Sequence, residues 1–324
     1  MRVLLTGASS FTGLWIAKAL AAAGAEVTAV CRGRPERYDA ARRARIEAVA
    51  EVAAVVFDRP FGGPGFLQLA KGALPFDVLC LHHAEVGDFR RPDFDPIDAA
   101  RADTNGLEAV LSCLARRGLA RVLHTGTVFE AGEGDGDRPL AAIGRYGLAK
   151  TLTSTLIRHA AAEIGVPAIK VTIPSPFGAG QGGGFVDYLL RSWCTGATPV
   201  LDHPDRLRDF VPVDLLAEHY ARLAMGLGDP PSGRSNPSGH VETVAQFAER
   251  LARAMRPRLR LPCPIEASQP PKPSAEPRRR FNTEPLPGLF DRRLDEARFD
   301  RLAHTARGLV AGNRGALMAE TQAA

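Results

Sequence analysis

Apolar positions in the first half of the chain follow two alternating rhythms. Residues 2–5 (RVLL) form a short apolar run that ends in a glycine turn. Residues 14–23 (LWIAKALAAA) are apolar around most of a helical circumference and close at Gly24, and residues 25–30 (AEVTAV) return to an extended apolar run. Strand, glycine turn, helix and strand within about 30 residues make one βαβ unit, whose strands run parallel. The rhythm continues: VAAVVFD (52–58) reads as a strand, FLQLAKGAL (66–74) as a helix and FDVLCLHH (76–83) as a strand. Residues 96–117 form a single helical pattern ending before Gly118, RVLHTGTV (121–128) is a strand, 145–164 is a long helix closed by Gly165, and AIKVTIP (168–174) is a strand. This repetition predicts an α/β fold, a doubly wound Rossmann-type parallel sheet with helices on both faces.

After Pro174 the pattern changes. PSPFGAGQGGGF (174–185) is rich in glycine and proline, VETVAQFAERLARAM (241–255) is an amphipathic helix, residues 262–289 read as an irregular proline-rich strap, and DRRLDEARFDRLAHTARGLV (291–310) is a polar helix. The expected division is a dinucleotide-binding Rossmann domain of residues 1–172 plus about 207–235. A smaller C-terminal α/β substrate-binding region takes residues 173–206 and 236–324.

Composition narrows the partners. The net charge is +5, and the only dense basic run, Arg278-Arg279-Arg280, reads as a solvated loop. A nucleic-acid partner requires a concentrated basic face, so none is expected. The five cysteines show no CxxC spacing, which predicts neither a disulfide framework nor a zinc cage, and no metal. No apolar run reaches the roughly 18 residues of a membrane span, and MRVLLTGASS lacks the apolar core of a signal peptide, so a cytoplasmic location is expected.

Two short stretches carry chemistry. TGASSFTG (6–13) lies where the first strand gives way to the first helix. Phosphate binding needs backbone N–H donors at a helix N-terminus, and glycine lets the backbone approach; Gly7 and Gly13 suit this, while Ser10 stands where a third glycine is more usual. The second strand ends in VCRGR, with Cys31, Arg32 and Arg34 and no carboxylate. An acidic residue there favours NAD by accepting from ribose hydroxyls, whereas arginine suits a 2′-phosphate, so NADP is the expected cofactor, with NAD possible. GRYGLAK (144–150) places Tyr146 and Lys150 one helical turn apart. At ~5 Å and an effective dielectric of ~20, an ammonium stabilises a phenolate by about 3 kcal/mol. That is on the order of two pKa units, enough to bring a phenol towards neutrality as a proton shuttle beside a bound nicotinamide.

Taken together, TGASSFTG and YGLAK resemble the extended short-chain dehydrogenase/reductase family, in its NAD-dependent epimerase/dehydratase branch, over roughly residues 1–255. The resemblance implies Thr125, at the end of HTGTVFE, as the catalytic threonine beside Tyr146 and Lys150. It implies cofactor contacts from Gly7, Ser9, Ser10, Phe11, Thr12, Gly13, Arg32, Arg34, Asp58, His83, Tyr146, Lys150, Pro174 and Ser175, and substrate contacts from Thr127, Ser175, Phe185 and Arg208. Asn105 matches the asparagine of the helix leading into the catalytic strand, and RDFVPVDLLA (208–217) resembles a segment of the nucleotide-sugar members. Dehydratase members carry Asp-Glu directly after the catalytic threonine; here Gly126 and Thr127 follow, which disfavours dehydration. Epimerisation or 4-keto reduction of a nucleotide sugar is the implied activity. Reduction of a non-sugar ketone is the alternative, and a non-catalytic NAD(P)-binding sensor or scaffold is the alternative of another class. The resemblance also implies a homodimer formed through residues 96–117 and 145–164.

Overall fold

The structure, a computed structural model, describes residues 1–87, 91, 93–269, 274 and 276–322. The chain runs β1 (Arg2–Thr6), α1 (Phe11–Ala22), β2 (Glu26–Val30), α2 (Ala40–Ala50), β3 (Ala54–Val56), α3 (Pro64–Ala70), β4 (Val78–Leu81), α4 (Pro96–Asp103), α5 (Leu107–Ala115) and β5 (Arg121–Thr127). There follow β6 (Asp135–Gly136), α6 (Gly144–Ile164), β7 (Ala168–Ile173), β8 (Ser175–Phe177), α7 (Gly184–Cys194), β9 (Val200–Leu201), β10 (Leu207–Pro212) and α8 (Val213–Ala224). The last elements are β11 (Arg234–Ser235), β12 (Pro237–Ser238), β13 (His240–Thr243), α9 (Val244–Leu259), β14 (Glu266–Ala267), β15 (Arg280–Phe281), β16 (Glu284–Pro285) and α10 (Arg292–Gln322).

Seven parallel strands form the central sheet in the order β3-β2-β1-β4-β5-β7-β11, so the predicted doubly wound sheet is present. Its inner strands β1 and β4 are buried on both faces, which is why they read as continuous apolar runs rather than alternating ones. Successive side chains still point to opposite faces. Val3 and Leu5 of β1, Cys80 of β4 and Leu123 of β5 pack with α1 and α8 on one face. Leu4, Leu79, Leu81 and Val122 pack with α3, α5 and α6 on the other. The sheet order reverses between β1 and β4, and the crevice above the C-terminal strand ends at such a point is where this architecture binds ligands.

The structure departs from the sequence pattern in three ways. The single helix expected over residues 96–117 is two, α4 and α5, because Gly106 takes φ +62° and the Asn105 carbonyl lies where a side chain on Gly62 would stand. A continuous helix would drive those backbones together. Helices α2, α7 and α8 are additional; α2 buries only Ile46 and Val49, too few positions to set a rhythm. The strap over 262–289 holds only two-residue strands. It is nonetheless not a solvated loop at Arg280, whose side chain is 1% exposed. A third core, built on Phe177, Trp193, Phe210, Phe247 and Phe299, joins α7, β10, α9 and α10 beside the sheet. Among the described residues no helix is long and apolar enough to cross a membrane.

Candidate active site

β1 ends at Thr6, and the chain turns at Gly7 with φ +73°. A Cβ there would lie 2.7 Å from the His82 carbonyl carbon, so both the conformation and the space demand glycine. Ser10 caps α1, its hydroxyl accepting from Gly13 N at 3.0 Å, which leaves its own proton free to donate. Above this turn lies a cleft of about 750 Å³. It is lined by Gly7, Ser9, Ser10 and Thr12 of the turn, Arg32 after β2, His83 after β4, Thr125 and Thr127 of β5, Tyr146 and Lys150 of α6, and Pro174 after β7. Eleven of the expected site residues thus face one cavity from six separate segments, and Asn105 lines it as well.

The others lie apart from it. Phe11 and Gly13 belong to the first turn of α1 behind the lining residues. Arg34 and Asp58 form an exposed ion pair at 3.5 Å, Asp58 at φ +57°. Ser175 pairs with Phe210 in the small sheet. Phe185 packs on Phe210 and Phe247, with ring centroids 6.3 and 6.1 Å away. Arg208 is 8% exposed and ion-pairs with Glu276 at 3.1 Å, and its burial lowers the guanidinium to about 10.

At the β2 end the cleft is lined by Arg32, Tyr38, Arg42, Arg59 and Glu85. Arg32 reaches across to Glu85 at 2.5 Å, and the Tyr38 hydroxyl accepts from Gly33 N at 3.1 Å. VCRGR predicts Arg32 and Arg34 at this end; the structure lines the cleft with Arg32, Arg42 and Arg59 and leaves Arg34 outside it. Arg42 sits on the unread helix α2, so no local signal pointed to it.

At the other end, Lys150 is 5% exposed, and burial lowers its ammonium while the Asp103 and Glu130 carboxylates oppose that shift. Tyr146 departs from expectation. Burial, reinforced by Glu130 and Asp103, raises its phenol above the ordinary value, where Lys150 was expected to lower it. The reading from i,i+4 spacing counted the lysine and could not see two carboxylates brought in from α4 and the β5–α6 loop. Asp103 accepts from Glu85 N at 2.6 Å. Glu130 accepts from Thr127 N at 2.8 Å and ion-pairs with Lys170, which also holds Glu133 at 2.7 Å.

Sequence reasoning also passed over His82. Register explains its place: Leu5 pairs with Cys80 and Leu81 with His124, so His82 stands between Gly7 and Thr125, on the α1 face that Cys80 and Leu123 share. Its Nδ1 lies 2.7 Å from Thr125 Oγ1 and its Nε2 2.8 Å from Thr12 Oγ1. His83 lines the cleft as expected, but its ring is engaged with Thr6 Oγ1 at 2.8 Å and the Asp103 carbonyl at 3.0 Å. A second cleft of about 710 Å³ shares Tyr146 and Phe129 with the first and is walled by Arg91, Arg138, Arg145, Glu276 and Arg280. Among the described residues no cluster of three or more His, Cys, Asp and Glu suited to a metal occurs.

The arrangement suits a nicotinamide dinucleotide: a helix N-terminus over a turn that opens on Gly7 for the pyrophosphate, cations at one end, and hydroxyls with a lysine at the other. Comparison with known proteins agrees. Residues 3–235 match the family model described as NAD dependent epimerase/dehydratase family. The UDP-glucose 4-epimerase of Thermotoga maritima, solved with UDP-glucose, superposes with a TM-score of 0.70 at 17% identity, over 96% of this chain and 100% of that one. The UDP-glucuronic acid 4-epimerase of Bacillus cereus, with UDP-glucuronic acid and NAD, gives 0.70 at 15% identity, over 95% and 100%. A dTDP-glucose 4,6-dehydratase of Streptomyces venezuelae gives 0.66 at 19% identity, over 97% and 98%. At these identities the likeness to solved structures is one of fold. No curated protein matches the sequence.

Proposed function

Because the chain belongs to the NAD-dependent epimerase/dehydratase family, we propose that it is a hydride-transfer enzyme acting at a sugar carbon of a nucleotide-activated sugar, by 4-keto reduction or epimerisation. The observation that carries this reading is that Thr125, Tyr146 and Lys150 line the same cleft as the glycine turn. When bound, the nicotinamide supplies or takes up the hydride. Thr125 Oγ1 holds the reacting oxygen by a hydrogen bond, Tyr146 exchanges the hydroxyl proton with it, and Lys150 brings positive charge to the phenol once the site is filled. Burial, with Glu130 and Asp103, holds the Tyr146 phenol above its ordinary value, which favours its acting as the donor to a carbonyl oxygen, the reductive direction.

The cofactor in this reading is NADP, with NAD the alternative: Arg32, Arg42 and Arg59 supply cations at the β2 end. Gly7, Ser9, Ser10 and Thr12 take the pyrophosphate, and Pro174 the nicotinamide face. The nucleotide sugar enters past Tyr146 into the second cleft, where Arg91, Arg138 and Arg145 suit a diphosphate. Dehydration is disfavoured, since Gly126 and Thr127 follow Thr125 and the carboxylate of the loop after β5, Glu130, is 1% exposed and paired with Lys170. The reading includes a homodimer, and the exposed Ile97 on α4 and Leu148 and Leu156 on α6 would suit its face.

Native mass spectrometry of the purified chain, with NADPH and NADH fluorescence titrations, tests the cofactor. Turnover of UDP-linked sugars by wild type and Tyr146→Phe tests the site. The reading expects tighter NADPH than NADH binding and a loss of at least about 100-fold in kcat with binding retained. Unchanged turnover in Tyr146→Phe, or no dinucleotide binding, would overturn it.

A further inference from the structure

His82 joins the glycine turn to the catalytic strand through two short contacts, to Thr12 and to Thr125. A neutral imidazole has one donor nitrogen and one acceptor nitrogen, so the ring adopts one of two arrangements. Burial, with Lys150 and His83 nearby, lowers the ring to about 3, which keeps it neutral at ordinary pH. In one arrangement Nδ1–H donates to Thr125 Oγ1 and the Thr12 hydroxyl donates to Nε2. In the other Thr125 spends its single proton on Nδ1 and is left able only to accept. The surroundings separate the two. Thr12 lies in the first turn of α1, whose positive end favours a nitrogen lone pair directed towards it over an N–H. On the far side, among the described residues, the Thr125 hydroxyl otherwise donates to the buried Tyr220 oxygen, and at 3.5 Å that bond is long and weak. Its proton is therefore only weakly engaged within the protein and can turn to a substrate oxygen in the cleft that Thr125 lines.

We propose that His82 is a positioning residue: its Nδ1–H anchors the Thr125 oxygen, so that the threonine proton is reserved for the reacting oxygen of the substrate. This rests on the Thr-Tyr-Lys reading above and goes beyond it by assigning Thr125 a fixed polarity. A hydrogen-bond chain then runs from the Thr12 hydroxyl through the imidazole to Thr125 and on to the substrate. Such a donor assists a developing alkoxide and so serves carbonyl reduction directly.

Long-range 1H–15N correlation spectra of the full chain labelled with 15N-histidine read the ring directly, with His82 identified by its loss in His82→Asn. From pH 6 to 8 the Nδ1-protonated form is expected, with no titration. Thr125→Val is expected to shift the Nδ1 signal, and Thr12→Val the Nε2 signal. An Nε2–H tautomer, a ring that titrates in this range, or signals indifferent to both valine variants would overturn the proposal. Kinetics on a UDP-linked sugar that the wild type turns over provide the second arm. His82→Leu is expected to lower kcat about 10–100-fold, the usual cost of losing an orienting partner, with KM within about threefold. His82→Asn, whose amide N–H stands near the place of Nδ1, should recover most of the loss. If Thr125→Val and Tyr146→Phe leave turnover intact, the underlying reading fails. If they abolish it while His82→Leu changes nothing, only the role of His82 fails.

Discussion

The buried arginine of the strap offers a direct measure of how the C-terminal segment supports the catalytic loop. Arg280 Nε donates to the Val128 carbonyl at 2.8 Å, and Nη2 to the Glu130 and Ala141 carbonyls, each at 2.9 Å. These carbonyls bracket the loop between β5 and α6, the loop that delivers Tyr146. Arg280→Met keeps most of the side-chain volume and removes every donor. The Glu130 carbonyl retains a weaker donor, Glu133 N at 3.4 Å. Hydrogen bonds from a charged donor contribute about 1.5–3 kcal/mol each, and burying a guanidinium costs several kcal/mol in return. The balance predicts a loss of about 2–5 kcal/mol, with activity falling as the loop loosens. Urea unfolding followed by fluorescence measures the loss, and Arg279→Met, on the exposed neighbour, is the control expected within about 0.5 kcal/mol of wild type. Equal stabilities for the two variants would show that the three contacts do not hold the loop, and the reasoning would fail.

Gly7→Ala forces an L-residue to φ +73° against the His82 backbone, and should weaken dinucleotide binding at least about tenfold by fluorescence titration, at about 1–3 kcal/mol of strain. Arg59→Glu is expected to shift preference from NADPH towards NADH in competitive titrations, whereas Arg34→Glu, outside the cleft, should leave the ratio within about twofold. Asp209 is 1% exposed, and burial raises its carboxyl to about 6 although Gly239 N and Asn282 N donate to it at 2.6 and 3.0 Å. A carboxyl raised in the folded state binds its proton more tightly there than in the unfolded chain. Its contribution to stability is therefore complete below about pH 4 and disappears as pH rises through about 6, a loss of about 3 kcal/mol. Denaturant titrations at pH 4 and 7 should show this slope in wild type and its absence in Asp209→Asn.

The central sheet was legible because its signals are local. The inner strands β1 and β4 are buried on both faces and so are apolar nearly from end to end, and each of the first crossovers returns within a few dozen residues. TGASSFTG and GRYGLAK carry their geometry within eight and seven residues respectively. The helix break at Gly106 was not legible, since its cause is Gly62, a residue distant in sequence that faces Asn105 across a gap too small for a side chain. Arg280 was misread for the same reason: in a row of three arginines nothing local tells which one turns inward, and its partners lie about 140–150 positions earlier.

The same distinction runs through the candidate site. Residue types at fixed spacing predicted who lines the cleft, but not the charges they meet there. Tyr146 and Lys150 are one turn apart by helix geometry alone, whereas the carboxylates that hold the phenol above its usual value arrive from α4 and from the loop after β5. His82 shows the limit from the other direction. As a residue in FDVLCLHH it is one of two adjacent histidines with no spacing that suggests chemistry. Only strand register, with Leu5 opposite Cys80 and Leu81 opposite His124, sets its ring between the turn that approaches phosphate and the threonine that approaches substrate. Substitution of a side chain at position 82 therefore tests the coupling of those two motifs, which sequence spacing treats as independent.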